Sequence, residues 1–136
     1  MAQEIPPIRV FMTMAPVAVS RDQTLAYAQS LMKDHSVRHL PVVDANGSVV
    51  GVLSQRTMQL VARRWDLDDA RLPVDALTNH DVYTVPPEAP IDAVCATMAE
   101  QRYGCAIVVH DKKPIGIFTT TDACAALAAL ARGPAA

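Results

Sequence analysis

Aromatic residues are scarce in this chain, at 4 % of its 136 residues. Because 51 % of the residues are nonetheless hydrophobic, we expect a single globular domain by length, with a core of valine, alanine, leucine and methionine. No apolar run reaches the roughly 18–20 residues that a membrane helix needs, and no signal peptide is apparent. A net charge of −2 gives no global electrostatic reason to bind nucleic acid. We therefore expect a cytoplasmic protein without a membrane or nucleic-acid partner.

Residues that bind metals or attack substrates are also few. The three cysteines are embedded in apolar patterns, which is typical of reduced, buried thiols (Cys95, Cys105 and Cys124). The four histidines have no paired ligand spacing, so no metal site is predicted. The sequence contains no P-loop, no G-x-G-x-x-G and no nucleophile elbow. These features favour a protein that is not an enzyme and has no catalytic cofactor.

The chain contains an internal repeat, in which residues 8–57 match residues 74–122. The clearest alignments are Val17-Ala18-Val19 with Tyr83-Thr84-Val85, Pro41-Val42-Val43 with Ile107-Val108-Val109, and Gly51 with Gly116. Each copy has the pattern short strand, helix, strand, strand, helix, so we predict an α/β (α+β) fold of two β-α-β-β-α repeats. One copy of about 50 residues cannot bury both its sheet and its helices. We expect the copies to pack sheet to sheet around a pseudo-twofold axis.

The predicted boundaries are a tail at 1–7, a first repeat at 8–65, a linker at 66–73 and a second repeat at 74–132. The predicted helices are a turn within Ile8–Met14, about 24–35, Ser54 to about Trp65, Pro90 to about Arg102, and Thr119–Leu130. The predicted strands are Val17–Val19, Leu40–Val43, Val49–Leu53, Cys105–Val109 and Pro114–Phe118. The run Asp44-Ala45-Asn46-Gly47 predicts a tight turn.

One motif occurs in both repeats. Gly116-Ile117-Phe118-Thr119-Thr120-Thr121-Asp122 ends a predicted strand and begins a helix, with Thr119 as the N-cap and Asp122 three residues later. Helix capping alone would explain this pattern. Gly51 to Thr57 has the same glycine, apolar pair and capping hydroxyl, but Thr57 stands in place of the acid. Because the motif recurs at the same position in the repeat, it also indicates a role beyond capping.

The order of these motifs resembles a cystathionine-β-synthase (CBS) domain pair, also called a Bateman module, from about Ile8 to Leu130. The resemblance is carried by Val10-Phe11-Met12-Thr13 with Pro16-Val17, by Val37-Arg38-His39-Leu40-Pro41-Val42-Val43-Asp44, and by the two glycine motifs. It implies a regulatory protein that binds an adenosyl ligand in a cleft between the repeats. AMP, ADP, ATP, a related dinucleotide or S-adenosylmethionine would fit. In the family the terminal aspartate accepts hydrogen bonds from both ribose hydroxyls.

The resemblance implies one cleft beside each motif. For the second motif the implied ligand-binding residues are Asp122, Thr119, Thr121 and Ile117, joined by Met12, Thr13 and Val17 from the other repeat. For the first motif they are Ser54, Val52, Thr57, Arg56, Thr78 and Tyr83. We hypothesise that Arg38 or His39 contacts the phosphate of a nucleotide whose ribose is bound by Asp122. Solvent exposure would equally explain His39, and strand packing would equally explain Tyr83. For Arg56, on an exposed helical turn, a solvated charge is favoured over a ligand contact.

Three functions remain open at this point. The first is a regulatory module that modulates an unknown effector protein and forms a homodimer through the helices that start at Ser54 and Thr119. The second is a structural or interaction protein with vestigial, unoccupied clefts, which the missing acid at Thr57 supports. The third is a small enzyme that uses Asp122 as an acid or base, for which the sequence nominates no partner residue.

Overall fold

The computed structural model describes residues 4–14, 17–64 and 71–133. The elements in chain order are a 3₁₀ turn (Ile8–Val10), β1 (Thr13–Met14), β2 (Val19–Ser20), α1 (Leu25–His35), β3 (His39–Val43), β4 (Val49–Ser54), α2 (Gln55–Arg64), a second 3₁₀ turn (Val74–Leu77), β5 (Thr84–Val85), α3 (Ile91–Gln101), β6 (Cys105–His110), β7 (Lys113–Thr119) and α4 (Thr120–Arg132). The predicted order of strands and helices is thus confirmed in both repeats. The predicted helix end at Trp65 and residues 66–70 of the linker lie outside the described residues.

The chain divides into two compact units. The unit that contains Gly51 to Thr57, here the first-motif unit, comprises Pro16–Val82 and Asp111–Pro114. The other, here the second-motif unit, comprises Met1–Ala15, Tyr83–His110 and Ile115–Ala136. The residues that lead into the first repeat therefore group with the second repeat. The predicted repeat boundaries and the packing of one repeat on the other stay predictions.

The first-motif unit is built on a three-stranded sheet in the order β2-β3-β4. Strand β2 is parallel to β3, and β3 is antiparallel to β4. Helix α1 begins where the Thr24 hydroxyl accepts the Tyr27 N–H at 3.2 Å, and it buries one apolar face against the sheet. The buried core consists of Val19, Leu25, Ala28, Met32, Leu40, Val42, Leu53 and Val74.

The predicted turn between β3 and β4 is present. Asp44 Oδ1 accepts the N–H groups of Asn46 at 2.9 Å and Ser48 at 3.0 Å, and Gly47 has a φ of 80°. Between β6 and β7, Asp111 and Lys112 both have positive φ, as a two-residue hairpin turn of type I′ requires.

The second-motif unit contains a four-stranded sheet in the order β1-β7-β6-β5. Its buried core consists of Ile8, Val85, Ile91, Val94, Met98, Ala106, Val108, Phe118 and Ala126. The predicted helical turn at Ile8–Met14 is only partly right, because residues 13–14 form a strand that pairs with β7. Pro6, predicted to be part of a loose tail, accepts the N–H of Ile91 at 3.0 Å.

The cysteines differ in burial. Cys105 is buried, which raises the pKa of its thiol to about 11. Cys95 is half-buried, and desolvation together with Asp92 raises its pKa. Cys124 is exposed on α4, so the prediction that all three are buried is wrong for this residue, which lies on the outer face of its helix.

Within the described residues, no helix combines the length and the apolar character that crossing a bilayer requires.

Candidate functional site

Asp122 is anchored at the start of α4 by a capping box. The Thr119 hydroxyl accepts the Asp122 N–H at 3.3 Å, and Asp122 Oδ2 accepts the Thr119 N–H at 2.9 Å. The Thr119 hydroxyl also lies 3.1 Å from the same oxygen. The two bonds that the carboxylate accepts both use Oδ2, so the capping role that the sequence predicts occupies one oxygen of the carboxylate.

The other oxygen of Asp122 meets a residue from the far end of the sequence. Strand β1 pairs with β7 in the register Thr13 to Ile117, which places Thr13 beside the motif. The Thr13 hydroxyl donates to Asp122 Oδ1 at 3.4 Å in an exposed position. An ionised carboxylate has about four acceptor sites, so Oδ1 can still accept a hydrogen bond from a ligand hydroxyl.

Glycine at position 116 allows the leading segment to approach β7. A Cβ atom at Gly116 would collide with the side chain of Met12. Met12 itself packs against the core of the second-motif unit. The predicted residues Met12, Thr13, Ile117, Thr119 and Asp122 therefore do come together in one unit.

The first-motif unit repeats this arrangement with different residues. Val52 and Asn79 exchange two backbone hydrogen bonds, of 3.0 and 2.9 Å, as an isolated antiparallel bridge. A Cβ atom at Gly51 would collide with Thr78 and would lie 2.6 Å from the Asn79 carbonyl oxygen. Asn79 thus takes the place beside β4 that Thr13 takes beside β7. It was not among the predicted site residues, although its position in the repeat matches that of Thr13.

The cap of α2 has no carboxylate. The Ser54 hydroxyl accepts the Thr57 N–H at 3.1 Å, and the two hydroxyls are 2.8 Å apart. Ser54 and Thr57 therefore repeat the hydroxyl-to-N–H cap and the side-chain contact of the second motif without its negative charge.

Beside this cap lies a cavity of about 430 Å³ lined by Arg38, His39, Ser54, Gln55, Arg56 and Gln59. Two contacts assemble it: His39 pairs with Ser54 across β3 and β4, and Gln55 donates its N–H to the Arg38 carbonyl at 2.9 Å. Among the residues that the structure describes, the lining contains two guanidinium groups and no carboxylate. The predicted residues Arg38, His39, Ser54 and Arg56 are brought together here, while Gln55 and Gln59 were not predicted.

His39 in this cavity is more than half-buried. Desolvation, followed by the positive charge of Arg38, lowers the pKa of its imidazole from the ordinary 6.5. His39 is therefore largely neutral at pH 7, and the fixed positive charge of the cavity comes from Arg38 and Arg56.

Four other predicted residues lie elsewhere or are already engaged. Val17 packs against the core of the first-motif unit, and Tyr83 stacks on Tyr103 in the second-motif unit with ring centroids 5.4 Å apart. The Thr78 hydroxyl donates to the Val74 carbonyl at 2.9 Å. Thr121 is exposed in the first turn of α4. Their predicted roles toward a ligand stay predictions.

No group of three or more histidine, cysteine, aspartate or glutamate side chains in the described part of the chain is arranged to hold a metal ion.

Comparison with curated proteins gives distant relatives. The chain is 23 % identical over 127 residues to the L-aspartate semialdehyde sulfurtransferase of Methanocaldococcus jannaschii, a match that covers 90 % of this chain and 23 % of that protein. The chain spans about a quarter or less of the length of the first four curated relatives that it matches.

Solved structures match over nearly the full length. A Vibrio cholerae protein assigned to acetoin utilization (AcuB) is 29 % identical, with a TM-score of 0.83 and 95 % of each chain covered. The CBS domain pair of protein MJ0100, in complex with 5′-methylthioadenosine and S-adenosyl-L-methionine, is 20 % identical, with a TM-score of 0.83, 92 % of this chain covered and 98 % of that one. CBSX2 in complex with AMP is 22 % identical, with a TM-score of 0.77, 93 % of this chain covered and 99 % of that one.

The sequence profile of the CBS domain matches this chain twice, at residues 7–59 and 74–129. These segments include both glycine motifs and most of the described elements. The resemblance seen in the sequence is thereby confirmed, and the chain belongs to the CBS domain family, with two CBS domains in tandem.

Proposed function

We propose that this protein is a non-catalytic regulatory module that binds an adenosyl ligand at the second motif and modulates a partner protein. The ligand class comprises AMP, ADP, ATP, a related dinucleotide and S-adenosylmethionine. The observation that carries the proposal is the state of Asp122. Its Oδ2 is held by Thr119, while Oδ1 accepts a long hydrogen bond from Thr13 in an exposed position.

This arrangement suits a ribose. A vicinal diol presents two hydroxyl donors, and a carboxylate whose position is already set by a helix cap can accept them without losing side-chain entropy on binding. Charge-assisted hydrogen bonds of this kind contribute about 1.5–3 kcal/mol each. The Thr13 hydroxyl, which lies 3.4 Å from Oδ1, supplies a second polar group at the same point.

The related structures support the adenosyl part of the proposal. The MJ0100 pair is in complex with 5′-methylthioadenosine and S-adenosyl-L-methionine, and CBSX2 is in complex with AMP. These ligands differ in charge and in their 5′ substituent but share adenine joined to a ribose with free 2′ and 3′ hydroxyls. We therefore expect recognition to centre on adenosine. The hypothesis that Arg38 or His39 contacts a phosphate of this ligand stays a prediction.

The surroundings of Asp122 favour a role in binding over a role in proton transfer. Its hydrogen-bond partners are the hydroxyls of Thr13 and Thr119 and a backbone N–H, none of which is a general base at neutral pH. A regulatory role requires instead that the ligand bind two conformations unequally, and the shift cannot exceed that difference in affinity.

A second copy of the chain is the first partner that we propose, in a cytoplasmic homodimer. Helix α4 leaves Leu127 68 % and Leu130 50 % exposed, which is apolar surface that an isologous contact would bury. Size-exclusion chromatography with light scattering would contradict this part of the proposal if it gave a monomer at all concentrations.

Calorimetric titration with adenosine, AMP and S-adenosylmethionine tests the proposal. Asp122→Asn keeps the size of the side chain and removes its charge, and we expect affinity for adenosine to fall at least about tenfold. Asp92→Asn is the matched control, because Asp92 is also an acid in the first turn of a helix but lies in α3. Equal affinity in wild type and the Asp122 variant would refute the ribose role.

A second candidate is an interaction protein with vestigial clefts. Two observations favour it: the capping box by itself accounts for Asp122, and Thr57 replaces the acid in the first motif. Under this candidate none of the three ligands raises the melting temperature of the wild-type protein at saturating concentration. A ligand-dependent rise that disappears in Asp122→Asn would exclude it.

A further inference from the structure

The cavity beside the first motif has the wrong chemistry for the ribose contact and the right chemistry for an anion. Its lining has two arginines, His39, two glutamines and the Ser54 hydroxyl. At the position that corresponds to Asp122, Thr57 offers a hydroxyl that lies 2.8 Å from Ser54. A diol would therefore lose its charged acceptor here, whereas the described lining residues include no carboxylate that would repel a phosphate.

We infer that this cavity is a separate binding site for a small polyanion with two or more adjacent phosphate groups, which it recognises by charge and without a ribose. The inference does not depend on an adenosyl ligand at the second motif.

The size and position of the cationic groups support this assignment. A volume of about 430 Å³ is within the range of roughly 300–1,000 Å³ that small-molecule sites occupy. Arg38 precedes β3 and Arg56 lies in the first turn of α2, so the two guanidinium groups reach the cavity from different elements. Arginine donors arranged in this way can each bind a phosphate bidentately.

The N-terminus of α2 adds to the positive electrostatic potential of the cavity. Ser54 caps the helix, and the backbone dipoles of α2 place partial positive charge at its N-terminus, beside Gln55 and Arg56. The helix dipole is a secondary contribution. The two guanidinium groups, with no carboxylate among the described lining residues, make the electrostatic potential of the cavity positive.

Titration of inorganic pyrophosphate by calorimetry tests the inference, with Arg38→Gln and Arg56→Gln as the variants. Both side chains are exposed enough for the fold to tolerate the change, and circular dichroism melts would verify this. We expect each variant to weaken pyrophosphate binding at least about tenfold. Arg9→Gln, which removes the same charge from an exposed arginine outside the cavity lining, is expected to leave the affinity within about twofold.

The Asp122→Asn variant separates this site from the adenosyl site. We expect it to bind pyrophosphate as the wild type does while losing adenosine. Titration of ATP into the same variant then identifies the source of the phosphates. If ATP binds about as tightly as pyrophosphate, the cavity binds the phosphate tail of a nucleotide. If ATP does not bind, the ligand is a free polyanion.

Two results would overturn the inference. One is wild-type protein that binds adenosine but not pyrophosphate, which would leave the proposed function intact. The other is pyrophosphate binding that is lost in Asp122→Asn or is unaffected by both arginine variants, since either result would place the anion elsewhere.

Discussion

The hydroxyl of Thr13 lies 3.4 Å from Oδ1 of Asp122, although the two residues are 109 positions apart in the sequence. The pairing of β1 with β7 produces this contact, because Thr13 is opposite Ile117 in the register. The candidate ribose site thus combines a helix cap made by neighbouring residues with a hydroxyl from the distant leading segment.

The contact predicts a difference between two substitutions at Thr13. Thr13→Val removes the hydroxyl and keeps the shape, so we expect adenosine affinity to fall roughly threefold to tenfold. Because the bond is long and exposed, the free energy of unfolding should change by less than about 0.5 kcal/mol. Thr13→Ser, which retains the donor, is the control. Calorimetry and urea denaturation measure the two quantities, and an unchanged affinity in Thr13→Val would remove Thr13 from the site.

The two motif glycines are predicted to differ in their tolerance of alanine. A Cβ atom at Gly51 would meet the backbone carbonyl oxygen of Asn79, whereas at Gly116 it would meet the flexible side chain of Met12. A backbone bridge cannot move without breaking hydrogen bonds, so we expect Gly51→Ala to lower the free energy of unfolding by about 2–3 kcal/mol and Gly116→Ala by about 1 kcal/mol. Urea denaturation of both variants measures this, and the reverse order would contradict the assigned contacts.

His39 predicts a pH dependence of stability. Its pKa is lowered in the folded protein by desolvation and by Arg38, so the unfolded chain, with the ordinary value of 6.5, takes up the proton first as the pH falls. The free energy of unfolding should therefore decrease below about pH 6.5 and level off once the folded protein is protonated as well. Denaturation at several pH values should show the decrease that His39 causes in wild type and not in His39→Gln. The control His35→Gln, at the exposed end of α1, should behave as wild type.

The same linkage couples His39 to the anion. A bound polyanion facing Arg38, Arg56 and His39 would favour the protonated imidazole, so pyrophosphate affinity should increase as the pH is lowered from 7.5 to 5.5. His39→Gln should remove the part of this increase that exceeds the titration of pyrophosphate itself. A pH profile identical in the two proteins would exclude His39 from the anion site.

Thr57→Asp is predicted to convert the first motif into a copy of the second. The new carboxylate would stand three residues after the capping hydroxyl of Ser54, where Asp122 stands relative to Thr119. We expect a second adenosine site per chain and pyrophosphate binding weakened by at least about tenfold, because a negative charge enters a cationic cavity. Thr57→Asn is the uncharged control. Calorimetric stoichiometry that stays at the wild-type value would contradict the equivalence of the two motifs.

Local patterns were sufficient to predict the elements and the caps. Each of these predictions depends on residues close in sequence: the helical and strand-like patterns, the Asn46-Gly47 turn, and the spacing from Thr119 to Asp122. The structure has each feature at or within a few residues of its predicted position. The repeat was also readable, since two copies of one pattern lie in one chain. Where the prediction was only partly right, at residues 8–14, pairing of Thr13 with Ile117 overrode the local preference for a helical turn.

What the sequence by itself determined was therefore the order of the repeats, the starts of the helices and the presence of one motif with an acid and one without. Only the tertiary structure decided that Thr13 meets Asp122, that Asn79 bridges to Val52, and that Arg38, His39 and Arg56 line one cavity. The physical reason is the sequence separation of the residues that interact. Caps and turns are stabilised by hydrogen bonds within a few residues, whereas these contacts depend on strand register and side-chain packing between segments whose separation leaves no local pattern.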